Sequence, residues 1–531
     1  MPKLKWIVVT GGVLSGIGKG IAAASIGHIL SSKYKVIPIK CDGYLNTDPG
    51  TMNPIEHGEV FVLEDGGEVD MDFGHYERFL GVDCKFEWNL TMGKIFNAIR
   101  IKERRGDYLG KTVQYVPHVT DLIQDWYFRI AKKEKADVMI IEIGGTVGDL
   151  ENELFLESIR QLEKKVGHDN ILYVHLTYVP IPINVNEQKS KPTQQSVNLL
   201  RQRGIQPNII IGRCSEFLKP HIKEKIAMFC NVNKEDVITG LDVNNIYKIP
   251  IIFSKEGINK SLEKKLKLDI PPNMKKWGKL VDNMEHPDKE VTIAICGKYT
   301  RLEDSYASII ESLNHCGAHF KAKINLKWLE TTDIKSVSKL LEGVNGVIVP
   351  GGFGSRGTEG KIEVIKECRE KGIPFLGICY GLQLAVAEYA RHVCGLKGAN
   401  STEIDPKTKY PVIDILPEQK KITKKGGTMR LGGYPAILKK GTVTHSLYKQ
   451  EKVSERHRHR YEVNPEYHEI LEKNGLIFSG MSPDRKLVEF IELKNHPYFV
   501  ATQAHPELKS KLEAPAPLFY GLIRAAVKKK E

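Results

Sequence analysis

The stretch WIVVTGGVLSGIGKG, residues 6–20, decides the fold class of the first half of the chain. A short β-branched run ends at glycines and leads directly into the helical pattern KGIAAASIGHILSS at 19–32. A buried parallel strand that turns through glycines into a helix is typical of the start of an α/β domain. The backbone N–H groups of such a turn can bind phosphate oxygens, and Lys19 can neutralise their charge. The stretch therefore predicts a nucleotide-binding site.

This turn departs from the usual P-loop pattern. Val13 replaces its first glycine, and Gly20 replaces the Ser or Thr that would hold magnesium, so carboxylates elsewhere must hold the metal. Glu142 lies near the end of the apolar run VMIIEIGG, where a lone carboxylate is costly to bury unless it is paired or binds a cation. A buried salt bridge is the alternative for Glu142. Asp72 is the second candidate, and in extended chain it shares a face with Asp70, for which a solvated loop position is the simpler interpretation.

Apolar runs separated by helical patterns recur through the first half of the chain. The runs are VIPIK (36–40), DVMIIEIGG (137–145), NILYVHLTYVP (170–180) and NIIIGR (208–213). Such alternation predicts a mostly parallel sheet with helices on both faces.

The segment KSKPTQ at 189–194 is a candidate site for a second anionic substrate. We expect extended chain here because Pro192 disfavours helix at Lys191, and extended chain places both lysines on one side. Two such lysines suit phosphate groups, although solvated surface charge is the simpler alternative.

A second domain is predicted after the proline-containing stretch LDIPPNMKKWGKLVDNMEHPDK at 268–289. Tandem prolines exclude a regular element, although KKWGKLVDNM can form a short helix, and VTIAICGKY then begins a fresh buried strand. We therefore expect a first domain at 1–270, a linker at 271–289 and a second domain at 290–531. Further strands of the second domain are predicted in GVIVPGG, IPFLGIC, GLIFSGMS, KLVEFIEL and YFVATQAHPE.

The second domain contains a nucleophile signature at Cys379, within GICYG. An apolar strand pattern runs into the helical pattern LQLAVAEYA, and glycines stand two residues before and after the cysteine. This arrangement exposes a nucleophile at a sharp turn and places it at a helix N-terminus, where the helix dipole favours the thiolate. Cysteines are more often inert core residues, but packing alone does not explain glycines on both sides.

A thiolate that attacks an amide requires a base, a group that orients the base, and an oxyanion site. His505 and Glu507 supply the first two, because residues two apart in extended chain point the same way and a carboxylate can fix the imidazole tautomer. The turn PGGFG at 350–354 follows an apolar run and offers backbone N–H groups to a developing oxyanion. A plain turn explains each piece alone, but the set predicts a cysteine-dependent glutaminase.

Length and composition limit the number of domains, the class of protein and its expected location. The 531 residues suggest two to four domains, and no apolar run reaches the about 18–20 residues needed to cross a bilayer. No secretory signal is read at the start, and nine scattered cysteines without CxxC pairs favour reduced thiols, so we expect a cytoplasmic protein. The net charge of +13 fits polyphosphate substrates, nucleic acid or a solvated surface, but no nucleic-acid-binding signature accompanies it.

Several long strings, in order along residues 4–525, resemble the CTP synthase family, in which an amidoligase domain precedes a class I glutamine amidotransferase domain. The strings are LSGIGKGIAAAS, DPGTMNPIEHGEVFVLEDGGE, GHYERF, ERRGDYLGKTVQ, EIGGTVGD, KSKPTQ, IYKIP, ANSTEID, GGTMRLG and ERHRHRYEVN. The resemblance implies an α/β fold with an N-terminal P-loop-like doubly wound parallel sheet and a C-terminal α/β amidotransferase domain. It also implies that ATP phosphorylates the 4-oxygen of UTP and that ammonia from glutamine displaces this phosphate to give CTP.

The same resemblance implies roles for particular residues. The residues that contact ATP are Ser15, Gly16, Ile17, Gly18, Lys19, Gly20, Ile21 and Asp72, and those that hold Mg²⁺ are Asp72 and Glu142. The residues that bind UTP, and the inhibitor CTP at a largely shared site, are Ser15, Asp149, Leu150, Glu151, Lys189, Ser190, Lys191, Pro192, Thr193, Gln194 and Lys225. The triad is Cys379, His505 and Glu507, and the glutamine pocket comprises Gly352, Tyr380, Gly381, Leu382, Gln383, Glu403 and Arg460. His57 lines the ammonia route, and Arg430 lies in the region associated with activation by GTP.

Two departures from the family pattern accompany the resemblance. Tyr380 stands where leucine is usual, so its backbone N–H keeps an oxyanion role while its side chain can alter the pocket. Gly43 replaces a customary proline, which loosens a turn near the nucleotide site. The family further implies homotetramers, and filaments in some members.

Two alternatives stay open at this point. One is another glutamine-dependent amidoligase with a different acceptor. The other is a nucleotide-binding ATPase that engages nucleic acid or assembles structurally, with an inactive glutaminase domain.

Overall fold

The structure of the chain, a computed structural model, describes residues 4–52, 58–271, 273–297, 303–332, 336–415 and 429–530. The chain divides into two compact units. The first unit comprises Met1–Thr51 and Met71–Gly278, and the second comprises Met52–Asp70 and Lys279–Glu531. The second unit therefore includes a segment from the first half of the chain.

Strands and helices are numbered in chain order. The strands are β1 (Lys5–Gly11), β2 (Val36–Asp42), β3 (Phe61–Val62), β4 (Glu68–Val69), β5 (Asn89–Thr91), β6 (Val138–Ile143), β7 (Ile171–Tyr178), β8 (Ile209–Cys214), β9 (Val237–Leu241), β10 (Lys289–Gly297), β11 (Ala322–Glu330), β12 (Gly346–Val349), β13 (Phe375–Ile378), β14 (Asn400–Ser401), β15 (Pro411–Ile415), β16 (Arg430–Leu438), β17 (Lys452–His459), β18 (Tyr461–Val463), β19 (Ile477–Met481), β20 (Val488–Glu492) and β21 (Phe499–Thr502). The helices are α1 (Lys19–Ser31), α2 (Asp72–Leu80), α3 (Met92–Arg105), α4 (Thr120–Glu134), α5 (Glu153–Val166), α6 (Lys191–Gln202), α7 (Pro220–Cys230), α8 (Ile249–Lys255), α9 (Ile258–Leu266), α10 (Lys275–Glu285), α11 (Ala307–Phe320), α12 (Val337–Leu340), α13 (Thr358–Lys371), α14 (Tyr380–His392), α15 (Val443–Tyr448), α16 (His468–Lys473) and α17 (Pro517–Lys530). Among the described residues, none of these helices combines the length and apolar character needed to span a bilayer.

The first unit is built on a parallel sheet with the strand order β5-β2-β6-β1-β7-β8-β9. The strands β1, β2 and β6 are buried along their whole length, as parallel strands covered by helices on both faces must be. The strands predicted for the first half of the chain, and α1 after the glycine-rich turn, are confirmed. Because β1 and β6 are parallel neighbours, the turn after β1 and Glu142 near the end of β6 lie at the same edge of the sheet.

The second unit is built on a mixed sheet with the strand order β11-β10-β12-β13-β21-β20-β19-β16-β17. The first five strands in this order are parallel, and the later neighbours pair antiparallel. Phe375 of β13 belongs to one hydrophobic cluster and the adjacent Leu376 to another, so β13 is buried on both faces. The strands predicted in this half are confirmed as β12, β13, β19, β20 and β21. Together the two sheets confirm the predicted α/β fold.

Local sequence patterns do not predict two features of the division of the chain into units. The hairpin of β3 and β4 belongs to the second unit, although most of the first unit follows it in sequence. The helix predicted in KKWGKLVDNM is confirmed as α10, and the units divide within it, between Gly278 and Lys279.

Two predictions of local structure are wrong. We predict extended chain at Lys191, but α6 begins there with Pro192 in its first turn. Proline is tolerated in a first turn because the N–H that it lacks would have no intrahelical acceptor. Asp72 is likewise the first residue of α2 rather than part of an extended pair with Asp70. Its carboxylate therefore lies at a helix N-terminus, where the dipole stabilises negative charge.

Candidate active sites

Cys379 occupies a strained turn between β13 and α14. Its φ of 51° and ψ of −100° are unusual for a residue with a side chain, and its backbone N–H donates to the carbonyl of Thr502 at 2.7 Å. Such strain persists only where the surrounding structure holds it, which is common at functional sites. The predicted nucleophile turn is therefore present in the structure.

The glycines on either side of Cys379 are required by close packing. A Cβ on Gly381 would lie 2.1 Å from the carbonyl oxygen of Val349, and a Cβ on Gly377 would lie 2.8 Å from Cβ of Ala501. Any side chain at either position would displace the turn. The glycines in GICYG thus allow two close contacts that hold the cysteine at the end of β13.

His505 and Glu507 form a directed pair beside this cysteine. Nδ1 of His505 lies 2.7 Å from Oε1 of Glu507. Burial disfavours the charged imidazole, but the charges of Glu507 and Cys379 outweigh it and raise the pKa of His505 to about 10. The pairing predicted from sequence is present, although Glu507 lies in a 3-10 turn, Pro506–Lys509, rather than in extended chain.

A cavity of about 630 Å³ in the second unit opens onto Cys379, His505 and Glu507. Four of the residues predicted for glutamine binding line it, and these are Gly352, Gln383, Glu403 and Arg460. Burial raises the pKa of Glu403, while the N–H of Gly354, at 3.2 Å, and the charge of Arg460 oppose this effect. The cavity thus joins a thiol, an imidazole, carboxylates and a guanidinium in one space.

Tyr380 does not form part of the lining of this cavity. Its hydroxyl donates to the carbonyl of Gly354 at 2.7 Å and lies 2.9 Å from Oγ1 of Thr358. The side chain is buried, and burial raises its pKa to about 12. Tyr380 therefore holds the end of the PGGFG turn in place through a hydrogen bond to Gly354. Gly381 and Leu382 also lie outside the cavity lining.

In the first unit, the structure explains the departure from the P-loop pattern at Gly20. A Cβ on Gly20 would lie 2.2 Å from Oδ1 of Asp72, so a Ser or Thr there would displace this carboxylate. The glycine leaves room for the carboxylate of Asp72 beside the start of α1. Lys19 is buried and donates to the carbonyl of Gly145 at 2.8 Å, and burial lowers its pKa.

The two predicted metal ligands meet at one cation, the ammonium of Lys40. Nζ of Lys40 donates to Oε1 of Glu142 at 3.0 Å and also to Asp72, and the hydroxyl of Tyr76 donates to Glu142. Burial raises the pKa of Glu142 against the effect of Lys40. Burial also acts to raise the pKa of Asp72, but the charges of Lys40, His75 and Lys19 and the hydrogen bond from Lys40 together outweigh it, and the pKa is lowered.

The buried residues predicted for UTP binding shape the start of α6. Nε2 of Gln194 donates to Oγ of Ser190 at 3.1 Å, and Oγ1 of Thr193 lies 3.0 Å from Oγ1 of Thr177 at the end of β7. These side chains hold the turn against the sheet edge.

The lysines predicted for UTP binding are more accessible. Lys191 and Lys225 are exposed, and Lys189 pairs with Glu187 at 2.6 Å. The hydrogen bond and charge of Lys189, with a smaller contribution from Lys225, lower the pKa of Glu187. Lys189 and Lys225 therefore lie within electrostatic range of the same carboxylate.

The run at 149–151 lies between β6 and α5 in the first unit. Oδ2 of Asp149 accepts from the N–H of Thr146 at 2.7 Å, and Leu150 is 84% exposed. A Cβ on Gly43 would lie 2.7 Å from Cβ of Glu151, so the glycine that replaces the customary proline permits this close approach.

Sequence reasoning missed a buried polar cluster beside the glutamine-type cavity. Arg430, predicted only for the GTP region, binds Glu489 at 2.7 Å and Glu462 at 3.1 Å. His457 and His459 lie 2.9 Å apart, and burial lowers the pKa of both. Alternating charges in ERHRHRYEVN were the available signal.

Lys40 was also missed, although a lysine inside the apolar run VIPIK indicates a buried partner. His57, predicted for the ammonia route, lies outside the residues that the structure describes.

Comparison with known proteins shows the family to which the chain belongs. The sequence profile of the CTP synthase N-terminus matches residues 5–268, and that of class I glutamine amidotransferases matches residues 301–525. The CTP synthase of Borreliella afzelii (strain PKo) is 55% identical over 531 residues, which cover 99% of each chain. The chain belongs to the CTP synthase family. The CTP synthase of Methanocaldococcus jannaschii is 54% identical over 540 residues and covers 100% of both chains.

A solved structure of the glutaminase domain of Trypanosoma brucei CTPS with bound acivicin is also similar. It is 34% identical, covers 45% of this chain and 94% of that chain, and has a TM-score of 0.43.

Membership of the CTP synthase family defines the reaction. The protein is a glutamine-hydrolysing ligase that forms CTP from UTP and consumes ATP. Full-length identity to CTP synthases disfavours an amidoligase with another acceptor.

Proposed function

We propose that Cys379, His505 and Glu507 release ammonia from glutamine in the cavity of the second unit, and that the residues around Lys19 use it to aminate UTP. The observation that carries this proposal is the convergence of a strained cysteine, a carboxylate-bound imidazole and four of the residues predicted for glutamine binding on one cavity. Glu403 and Arg460 suit the ammonium and carboxylate that glutamine presents.

The steps of amide cleavage follow from the reacting groups of Cys379 and His505. The Cys379 thiolate attacks the side-chain amide carbon of glutamine, and the carbonyl oxygen becomes an oxyanion. Backbone N–H groups of the PGGFG turn and of Tyr380, at the start of α14, supply its stabilisation. The imidazolium of His505 then gives its proton to the departing nitrogen, so that ammonia leaves and a thioester forms. Water attacks the thioester with His505 as base, and glutamate is released.

In the first unit, the turn at 11–20 would bind the phosphates of ATP, and Lys19 would neutralise charge on the phosphoryl group that moves to the 4-oxygen of UTP. We assign Mg²⁺ to Asp72 and Glu142. Their carboxylates already share one cation, the ammonium of Lys40, so the donor set suits a cation. No group of three metal-ligating side chains occurs in the described ranges, so phosphate oxygens and water would complete the shell, as Mg²⁺ prefers. When bound, the ion would neutralise charge on the phosphates.

The second substrate would bind along the Asp149–Glu151 run and the start of α6. Lys189, Lys191 and Lys225 provide positive charge for its phosphates. Product CTP would inhibit by occupying much of the same site. Ammonia passed internally stays unprotonated and therefore nucleophilic, whereas in neutral water it is mostly ammonium.

The test is CTP formation by Cys379→Ala with either glutamine or added ammonium salt. We expect glutamine-dependent activity to fall by at least about 10³-fold and ammonia-dependent activity to stay within about twofold of the unsubstituted enzyme. Loss of both activities, or retention of both, would contradict the assignment. Omission of UTP, ATP and Mg²⁺ in turn checks each requirement of the synthetase reaction.

Three further features belong to this proposal. GTP would activate the enzyme near Arg430, which lies in the buried cluster beside the cavity. A homotetramer is supported by apolar side chains that the single chain leaves largely exposed, among them Leu109, Leu150 and Ile183. A cytoplasmic location fits the nine cysteines, which are all free thiols. Light scattering with and without nucleotides measures the oligomeric state.

A further inference from the structure

The hairpin at residues 58–70, which contains β3 and β4, packs on the strands that flank the catalytic cavity. Its strands pair as Phe61 with Val69 and Val62 with Glu68. Glu59, Val60 and Val62 contribute to the lining of the cavity that contains Cys379. A segment far from the amidotransferase region in sequence thus becomes part of the glutaminase structure.

Glycines permit the hairpin to approach β16 backbone to backbone. A Cβ on Gly432 would lie 2.5 Å from the nitrogen of Gly66, and a Cβ on Gly433 would lie 2.2 Å from Oε1 of Glu64. The N–H of Gly433 donates to the carbonyl of Glu64 at 2.9 Å. The backbone approach at Gly432 leaves no room for a side chain there, so the hairpin packs directly on this strand.

Two arginines of β17 bind the hairpin through their side chains. Arg456 is fully buried and donates to the carbonyl of Val62 at 3.1 Å and to Glu64 at 3.4 Å. Arg458 pairs with Glu68 at 2.8 Å. Residues two apart on a strand point to the same side, so both arginines contact the hairpin from one face of β17, although Arg456 also donates to the carbonyl of Leu508 at 3.4 Å.

The main chain of these same two arginines faces the catalytic pair. The N–H of His505 donates to the carbonyl of Arg456 at 2.7 Å, and Sγ of Cys379 lies 4.0 Å from the carbonyl of Arg458. β17 is the edge strand of the sheet, and its other edge pairs with β16. The backbone of this edge strand therefore contacts both of the proposed reacting residues.

We propose that the hairpin at 58–70 positions Cys379 and His505 by holding β17 through the Glu68–Arg458 and Glu64–Arg456 pairs. These four are positioning residues, because they act on the reacting groups through the backbone of one strand. The proposal rests on the proposed roles of Cys379 and His505. Both ion pairs are partly or wholly shielded from solvent, so their loss matters more than that of an exposed pair.

The test compares Glu68→Gln and Glu64→Gln with Glu451→Gln, a control that removes the exposed Lys440–Glu451 pair elsewhere on the second unit. We expect the glutamine-dependent kcat of the first two variants to fall by at least about tenfold, because small misplacements of reacting groups cost this much or more. The KM for glutamine and the ammonia-dependent rate should change by less than about twofold. The control should match the unsubstituted enzyme in all three quantities.

Alkylation of Cys379 by iodoacetamide near neutral pH provides a second readout, which a merely structural role would not move. We expect slower alkylation in Glu68→Gln and recovery in the charge-exchanged variant Glu68→Arg/Arg458→Glu. Glu68→Asp, which keeps the charge at a shorter reach, gives a milder form of the same defect should Glu68→Gln fold poorly.

Cys379→Ala, assayed in parallel, separates the two proposals. If it keeps glutamine-dependent activity, the proposed function fails. If it loses that activity while Glu68→Gln and Glu64→Gln keep full kcat and alkylation rates, positioning by the hairpin is overturned and the proposed function stands. Equal loss of glutamine- and ammonia-dependent activity in the hairpin variants would also overturn it.

Discussion

Nδ1 of His505 lies 2.7 Å from Oε1 of Glu507, across the start of a 3-10 turn. The carboxylate holds the imidazole in one tautomer and, with the thiolate, raises its pKa to about 10 against the opposing effect of burial. A proton donor for the leaving amine is therefore present throughout the neutral range.

Glu507→Gln should lower the glutamine-dependent kcat by about 10²–10⁴-fold, because the charge that stabilises the imidazolium is lost while the shape is kept. The pKa of His505 then falls, so its donor form disappears at lower pH. The alkaline limb of the glutaminase pH profile should therefore move to lower pH. An unmoved alkaline limb would contradict this role, and ammonia-dependent activity serves as the internal control.

The hydroxyl of Tyr380 binds the carbonyl of Gly354 and Oγ1 of Thr358. Tyr380→Phe removes both hydrogen bonds and loosens the PGGFG turn without changing the cavity lining. We expect the glutamine-dependent kcat to fall about five- to fiftyfold, as for a loosened oxyanion site, and ammonia-dependent activity to persist. Steady-state kinetics with both nitrogen sources measure this. A rise in KM alone would assign Tyr380 to ground-state binding instead.

Much of the fold was predictable because its signals are local. The turns after β1 and β13 bring together a short apolar strand, glycines and a helix within about twenty residues. The pairing of His505 with Glu507 was likewise predictable, although for a partly wrong reason, because both an extended chain and a 3-10 turn leave these two side chains within reach.

The unpredicted parts depend on contacts between distant residues. Lys40 meets Asp72 and Glu142 only because β2 lies beside β6 in the sheet. The packing of the 58–70 hairpin on β16 depends on glycines more than 360 positions later in the chain, and no local sequence pattern connects the two segments. Pro192 does not determine the local structure, because a proline that disfavours helix at the residue before it is also well tolerated in a first helical turn.

Glu142→Gln should impair the synthetase reaction and spare glutamine hydrolysis, which is the opposite of the effect expected for Cys379→Ala. The variant keeps the size of the side chain and one carbonyl acceptor, but it loses the negative charge that Lys40 binds and that we propose as a ligand of Mg²⁺. We expect CTP formation to fall by at least about 10²-fold with either nitrogen source, and basal glutamine hydrolysis to persist. The Mg²⁺ concentration that gives half-maximal activity should rise in the residual reaction. Normal CTP formation at unchanged Mg²⁺ would refute the assignment.

The buried cluster around Arg430 makes stability depend on pH in a defined window. Burial raises the pKa of Glu462 to about 8, although the charge of Arg430 opposes the shift. In the unfolded chain this carboxyl ionises near its ordinary pKa of about 4.3. Between these values the folded state keeps a proton that the unfolded state loses, so the free energy of unfolding decreases as the pH rises from about 4 to about 8.

Glu462→Gln should remove this decrease, because an amide does not ionise. Relative to the unsubstituted enzyme, the variant should gain roughly 2–4 kcal/mol in free energy of unfolding between pH about 5 and about 8. Arg430 retains Glu489 as a partner at 2.7 Å, so its charge stays paired. Urea unfolding at several pH values measures the effect, and Glu472→Gln on the exposed side of α16 is the control. A stability difference that is constant with pH would show that Glu462 is ionised in the folded protein at neutral pH.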